Sequence, residues 1–314
     1  MENKQTHVNV DSSFTTPTGA VENVFNDNIA YVKHFDFSRA NLNQENRIAA
    51  ISQIASVCYQ NPKALGSISL YDRLACESAS LPSSSFEFVP VLFRYGFIET
   101  FFCNNSDIWL ENSNTLKYGE KIIKYGEKID TEDQVYLLTN YRALIYDVEN
   151  AGLNKSILDH FNTEEECKII AKHFNVFQVK VDMPTFGQMV RHRVNWQVLS
   201  RRYVSGEKAP FSFYIHEKMK EVTTTVGYTD ISCGVTVNTR DVVNICLDHY
   251  QAARKAGIKP EVARGIIPQC AYTIAWCAFQ PRQLESYFTL RLDKTAQPEI
   301  RLVSEAMKSL VGEQ

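Results

Sequence analysis

The segment VFQVKVDM (Val176–Met183) runs without a break into Pro184, and that junction constrains the chain more than any other feature. Its side chains alternate, with Phe177, Val179 and Val181 on one face, as a strand requires. Proline lacks an N–H and has a fixed φ, so it ends a ladder but opens a helix. A strand is therefore expected to hand over directly to a helix running through Met189. That helix delivers Gln188, Arg191, His192 and Arg193, and Ser200, Arg201, Arg202 and Tyr203 follow closely.

Four arginines and a histidine thus lie within twelve positions of a chain whose formal net charge is -3. Arginine presents a planar fork of donors that matches phosphate oxygens, so the cluster suits a phosphate-rich ligand. A solvated basic helix face explains the same charges, and nucleic-acid binding is a second functional reading. The second of these has a weak footprint, because one short basic segment is not a basic domain. Arg264, in EVARGIIP, is uninformative alone. Arg291 is flanked by Phe288, Leu290 and Leu292, so it is either paired in the core or reaching into a pocket.

Around this centre the pattern reads as mixed. Asn46–Tyr59 carries apolar residues at a helical period, and a second short helix fits Ser69–Ser78. Leu81–Ser85 reads as a loop and Phe86–Phe102 as a strand. Residues 104–172 are polar and read as a helical insertion, containing KYGEKI twice, at 117–122 and 124–129. Asp241–Lys255 is an amphipathic helix with Thr239 as N-cap and Gly257 as its stop. Further helices are expected over 270–279, 281–290 and 297–311. Residues 1–25 are expected to be a mobile tail or an extended arm, and 26–314 a single catalytic domain. The fold class is α+β: a central mixed or antiparallel sheet with flanking helices.

The chain has 314 residues and 44% hydrophobic content, ample for a sizeable core. Its eight cysteines form no Cys-x-x-Cys pair and no zinc-like cluster, so neither a disulfide framework nor a metal is expected. No apolar run reaches the roughly 18 residues of a membrane span, and the polar N-terminus does not look like a signal peptide. The plain expectation is a cytoplasmic protein with reduced thiols, no membrane and no nucleic-acid partner.

RHR, then SxRY, EVARxxxP, an R-x-L, a second arginine and AQxEI occur in this order across 176–305 and resemble the flavin-dependent thymidylate synthases. Two weaker matches lie upstream: Ala55–Tyr59, and Ser84-Ser85-Phe86-Glu87-Phe88, which looks like that family's Thr-Pro-Phe-Glu-His loop. The resemblance implies conversion of dUMP to dTMP, with FAD as cofactor and NADPH and methylenetetrahydrofolate as co-substrates. It implies FAD contacts from Arg191, His192, Arg193, Ser84, Glu87, Gln280 and Arg282. Gln188, Ser200, Arg201, Arg202, Arg264 and Arg291 would hold dUMP, with Arg291 at the uracil ring as the catalytic residue. It also implies a homotetramer with sites between subunits. The pattern departs from the family where Asn195-Trp196-Gln197-Val198 replaces the usual Ser-x-Asn-Glu, leaving that carboxylate missing. Two alternatives stay open: a pyrimidine nucleotide hydroxymethylase, and a silent flavin or nucleotide binder.

Overall fold

The protein, seen as a computed structural model, is described over residues 7–8, 19–39, 42–75, 83–98, 120–150, 153, 155–227 and 234–312. The strands in chain order are β1 (Gly19–Glu22), β2 (Tyr31–Phe35), β3 (Pro90–Arg94), β4 (Glu127–Asp130), β5 (Val135–Asn140), β6 (Asn175–Asp182), β7 (Asn195–Val198), β8 (Thr223–Gly227), β9 (Gly234–Asn238) and β10 (Tyr272–Phe279). The helices begin with α1 (Gln44–Tyr59), α2 (Ile68–Ala75), α3 (Glu120–Lys124), α4 (Tyr141–Asn150) and α5 (Glu164–His173). They continue with α6 (Met183–Met189), α7 (Glu217–Lys220), α8 (Thr239–Lys255), α9 (Pro260–Ala263), α10 (Pro281–Arg291) and α11 (Pro298–Val311).

The central sheet has the order β1-β2-β6-β10-β7 and is antiparallel throughout. Because side chains alternate along a strand, it separates two cores. Phe177, Val179 and Val181 of β6 join Ala275, Cys277 and Phe279 of β10 on one face, under α10 and α11. Val176, Trp276 and Ala278 point the other way, into a core shared with α1, β3, β5 and α4. Burying one such phenylalanine contributes about 1.5–3 kcal/mol. A smaller antiparallel sheet, β3-β5-β4, backs this second core, and β8 pairs with β9 as a separate hairpin.

Several expectations need correction. The stretch 270–279 is not helical: it forms β10, at the middle of the sheet, and its two-sided burial erases the alternation that would mark a strand. The insertion is not simply helical, since β4 and β5 fall inside it, while 104–119 lie outside the described residues. The repeated Glu-Lys-Ile splits: Glu120–Ile122 opens α3, whereas Glu127–Ile129 lies in β4. Gly126 separates them, and a Cβ there would sit 2.6 Å from the Ile122 carbonyl. The strand expected over 86–102 is shorter, with 84–88 a 3-10 turn, 90–94 the strand, and 99–102 outside the described residues. The N-cap of α8 is Asn238, whose side chain accepts from the Asp241 N–H at 3.0 Å; Thr239 is already inside the helix. Of the expected N-terminal tail, 19–22 form the edge strand β1, and Val8, Val24 and Phe25 are buried; 1–6 and 9–18 lie outside the described residues.

Candidate functional site

β6 runs into α6 as expected, with Pro184 in the first turn. After Met189 the chain makes a tight turn through Arg191–Arg193 and enters β7. The turn is tied by the His192 N–H to the Met189 carbonyl at 3.0 Å and by the Val194 N–H to the His192 carbonyl at 2.9 Å. The Trp196 indole N–H donates to the same His192 carbonyl at 3.1 Å. This geometry turns the His192 ring inward, edge-to-face on buried Tyr287 at 4.8 Å, and leaves the Arg191 and Arg193 side chains exposed.

The end of α10 closes over that turn. Arg291 Nε donates to His192 Nε2 at 2.8 Å, and Arg291 Nη2 donates to the Gln188 carbonyl at 3.0 Å. The Gln188 amide in turn donates to Gln297, at the start of α11. Burial, and then the Arg291 charge, push the His192 imidazole below its ordinary value, so it is neutral and accepts from the guanidinium. Three expected site residues, Gln188, His192 and Arg291, therefore meet in one hydrogen-bonded cluster.

A second group lies around a cleft of 620 Å³ bounded by Gly187, Leu199, Arg201, Phe211, Arg264 and Thr273. The Arg201 guanidinium stacks on Phe211 at 4.1 Å and donates to the carbonyls of Ala209 and Pro210. Arg264 is exposed at the end of α9. Arg202 forms an exposed ion pair with Glu261 at 3.2 Å, and the Ser200 carbonyl closes a turn to Tyr203 and Val204. Gly187 of this cleft adjoins Gln188 of the first cluster in sequence, so α6 links the two.

The upstream residues stand elsewhere. The Ser84 hydroxyl donates to Gln197 Oε1 at 3.0 Å, and Gln197 Nε2 lies 2.9 Å from Cys58 Sγ. Gln197, in the segment where the carboxylate is missing, is thereby anchored to both Ser84 and α1. Glu87 is paired with Arg142 of α4. Gln280 caps α10, its N–H donating to Gln283 Oε1 at 2.9 Å, and Arg282 is exposed two residues along. Residues missed by sequence reasoning are Tyr287, Gln297 and Arg142. Tyr287 stands four positions before Arg291 on one helix, a spacing that places the two side by side. Nothing in the sequence signals Arg142. Among the described residues no group of His, Cys, Asp and Glu could hold a metal ion.

A family model described as thymidylate synthase complementing protein matches residues 117–314. The chain belongs to that family. Members similar to it include a flavin-dependent thymidylate synthase of Aquifex aeolicus, 28% identical over 145 residues, which are 44% of this chain and 45% of that one. Another, from Thermotoga neapolitana, is 30% identical over 138 residues, 44% of this chain and 61% of its own length. The chain thus spans between about half and three fifths of the curated relatives it matches. Among solved structures, a UMP/dUMP methylase PolB from Streptomyces cacaoi, bound with 5-Br dUMP, is 22% identical with a TM-score of 0.33, covering 43% of this chain and 65% of that one. The family match contains every residue of the Gln188, His192 and Arg291 cluster and of the Arg201 and Arg264 cleft; Ser84 and Glu87 precede it.

Proposed function

We propose that this chain is a flavin-dependent thymidylate synthase that converts dUMP to dTMP, with methylenetetrahydrofolate as one-carbon donor and NADPH as reductant of FAD. Membership of the thymidylate synthase complementing family supports this reading, and so do relatives named flavin-dependent thymidylate synthase. The observation that carries it is the Arg291, His192 and Gln188 cluster, in which a fixed cation is held at the edge of the basic turn.

The donor set suits FAD. Arg191 and Arg193 present two exposed guanidinium forks on one turn, and such forks match a diphosphate. Arg191, His192 and Arg193 would hold the flavin, with Ser84, Glu87, Gln280 and Arg282 as further contacts. Bound there, FAD supplies hydride chemistry. Gln188, Ser200, Arg201, Arg202, Arg264 and Arg291 would hold dUMP. The Arg202 and Glu261 pair is exposed and so contributes only about 0–1 kcal/mol, which a nucleotide phosphate can outbid. Arg291 keeps Nη1 outside both of its hydrogen bonds. That group can meet a uracil oxygen and stabilise negative charge as C5 becomes nucleophilic. His192 and the Gln188 carbonyl hold the guanidinium in place for this.

The resemblance to the family further implies sites completed between subunits of a homotetramer. Exposed Val242, Ile245, Val262 and Ile266 on α8 and in the 260–266 segment offer an apolar face for such contacts.

The test is the visible spectrum of the purified protein, followed by anaerobic addition of NADPH and dUMP and then product analysis with methylenetetrahydrofolate. Flavin absorption that bleaches faster with dUMP, and dTMP as product, are expected. A colourless protein that takes up no FAD, or hydroxymethyl-dUMP as the product, overturns the reading. Arg191→Ala or Arg193→Ala should each weaken FAD retention through loss of about 1.5–3 kcal/mol of charge-assisted bonding. Unchanged flavin occupancy in both variants removes the phosphate-clamp assignment.

A further inference from the structure

Tyr287 is fully buried on α10, where a phenylalanine would fill nearly the same volume with no polar group to satisfy. Its hydroxyl lies 3.1 Å from that of Ser304, itself fully buried on α11. Ser304 donates to the Ile300 carbonyl at 2.7 Å, one turn back on its own helix, so the hydroxyl pair is tied to the α11 backbone. Burial holds the Tyr287 phenol above its ordinary value, so it keeps its proton and takes no part in proton transfer. What the hydroxyl adds is location. The ring is boxed by Phe279 of β10 at 5.4 Å and by Phe288 at 5.8 Å, and His192 rests edge-to-face on it at 4.8 Å.

His192 Nε2 accepts along a lone pair in the imidazole plane, so its 2.8 Å bond from Arg291 requires one setting of that ring. Tyr287 stands one turn before Arg291, so a single helix supplies both the surface behind the imidazole and the donor at its edge. The cluster is held to α11 at two points. Gln297 accepts from the Gln188 amide, and Ser304, two turns further along, holds Tyr287. We propose that Tyr287, anchored by Ser304, is a positioning residue for the nucleotide site. The hydroxyl pair fixes the phenol ring, the ring sets the His192 imidazole, and the imidazole sets the Arg291 guanidinium for the pyrimidine. The proposal rests on the thymidylate synthase reading above. Both hydroxyls are fully buried, so their effect on the reaction passes through His192.

Tyr287→Phe keeps the ring and removes its anchor, and Ser304→Ala removes the same anchor from the other side. Each is expected to raise the His192 midpoint in an NMR titration toward about 6.5, because the imidazole slackens from the Arg291 charge that helps hold it down. Each should also lower kcat for dTMP formation about tenfold at little change in KM for dUMP, since Arg291 acts on charge that develops only in the transition state. A merely structural role would show in thermal unfolding instead. Ser304→Ala leaves a buried phenol alone and should lose stability, and the double variant of Tyr287→Phe with Ser304→Ala should regain it. In that double variant the raised midpoint and lowered kcat are expected to persist. In a parent protein that makes dTMP, a parental midpoint or a parental kcat in both folded single variants overturns the proposal, as does recovery of both together with stability in the double variant. If the parent makes no dTMP, a raised midpoint in the variants keeps the coupling from Ser304 to His192 and removes the enzymatic reading.

Discussion

Arg291 and His192 are separated by 99 positions, yet they share a 2.8 Å N–H···N bond that settles a protonation state. The guanidinium cannot be deprotonated in a protein, so His192 Nε2 accepts, and the neutral ring carries its proton on Nδ1. Burial is the larger cause of the lowered imidazole pKa and Arg291 the smaller. The folded value lies below the unfolded one, so the unfolded chain binds the extra proton first as pH falls. The stability linked to His192 is complete above about 6.5 and is lost progressively below it. NMR titration should place the His192 midpoint under 6.5; in Arg291→Ala the midpoint should rise without reaching that value, because burial remains. A midpoint at or above 6.5 in the parent protein would be incompatible with the cluster. The same variant should lose dTMP formation while staying yellow. Loss of flavin instead would place Arg291 on the wrong ligand. At this scale the arginines and the histidine were legible in the sequence, because their density in an acidic chain is unusual. Their pairing with each other was not, since Arg291 among apolar neighbours reads either as paired in the core or as reaching into a pocket.

Secondary structure follows local signals where a cap or a proline fixes them. Pro184 opens α6, Gly257 at φ 83° stops α8, and Thr163 and Glu166 form a capping box on α5. The signal misplaced by one residue is the start of α8, where the Asn238 and Asp241 capping box outcompetes Thr239. Asn238→Ala should therefore cost about 1 kcal/mol in a urea titration. Thr239→Ala should cost less, and equal losses would restore Thr239 as the cap. The larger misses are strands. TIAWCAF of β10 is buried on both faces, and a short apolar run of that kind has no period to distinguish it from a buried helix. Glu-Lys-Ile is a helix opening at 120–122 and a strand at 127–129. The second is held extended by pairing with Tyr136, Leu137 and Leu138 of β5.

The whole molecule is organised by two cores back to back on one sheet. The larger joins Ile48, Ile51 and Ile54 of α1 to Leu137, Leu138, Leu144 and Ile145 of β5 and α4. Arg47 is fully buried there, donating to the His160 carbonyl and, at 3.0 Å, to Asn162 Oδ1, so α1 is bonded directly to the 160–162 loop. The segment that reads as a helical insertion therefore supplies about a third of a core. Deleting 120–165 should give an insoluble chain or one lacking a cooperative thermal transition. A soluble, cooperatively melting product would make the segment peripheral after all. The physical basis is additive: removing buried leucines and isoleucines costs about 2–5 kcal/mol each, and total stability is only about 5–15 kcal/mol.

What the sequence alone determined is carried by neighbours within a turn or two: the strand-to-helix junction at Pro184, the basic turn after it, the stop of α8 at Gly257, and the α+β class. It also carried the family, because the order of short motifs survives in one dimension. The tertiary structure decided which of these motifs touch. Strand pairing brings β10 between β6 and β7, and α10 folds back so that Arg291 reaches His192. Contacts of that kind depend on the two-sided burial of a sheet and on closing chains of a hundred residues or so. Neither leaves a periodic trace in the residues that make them.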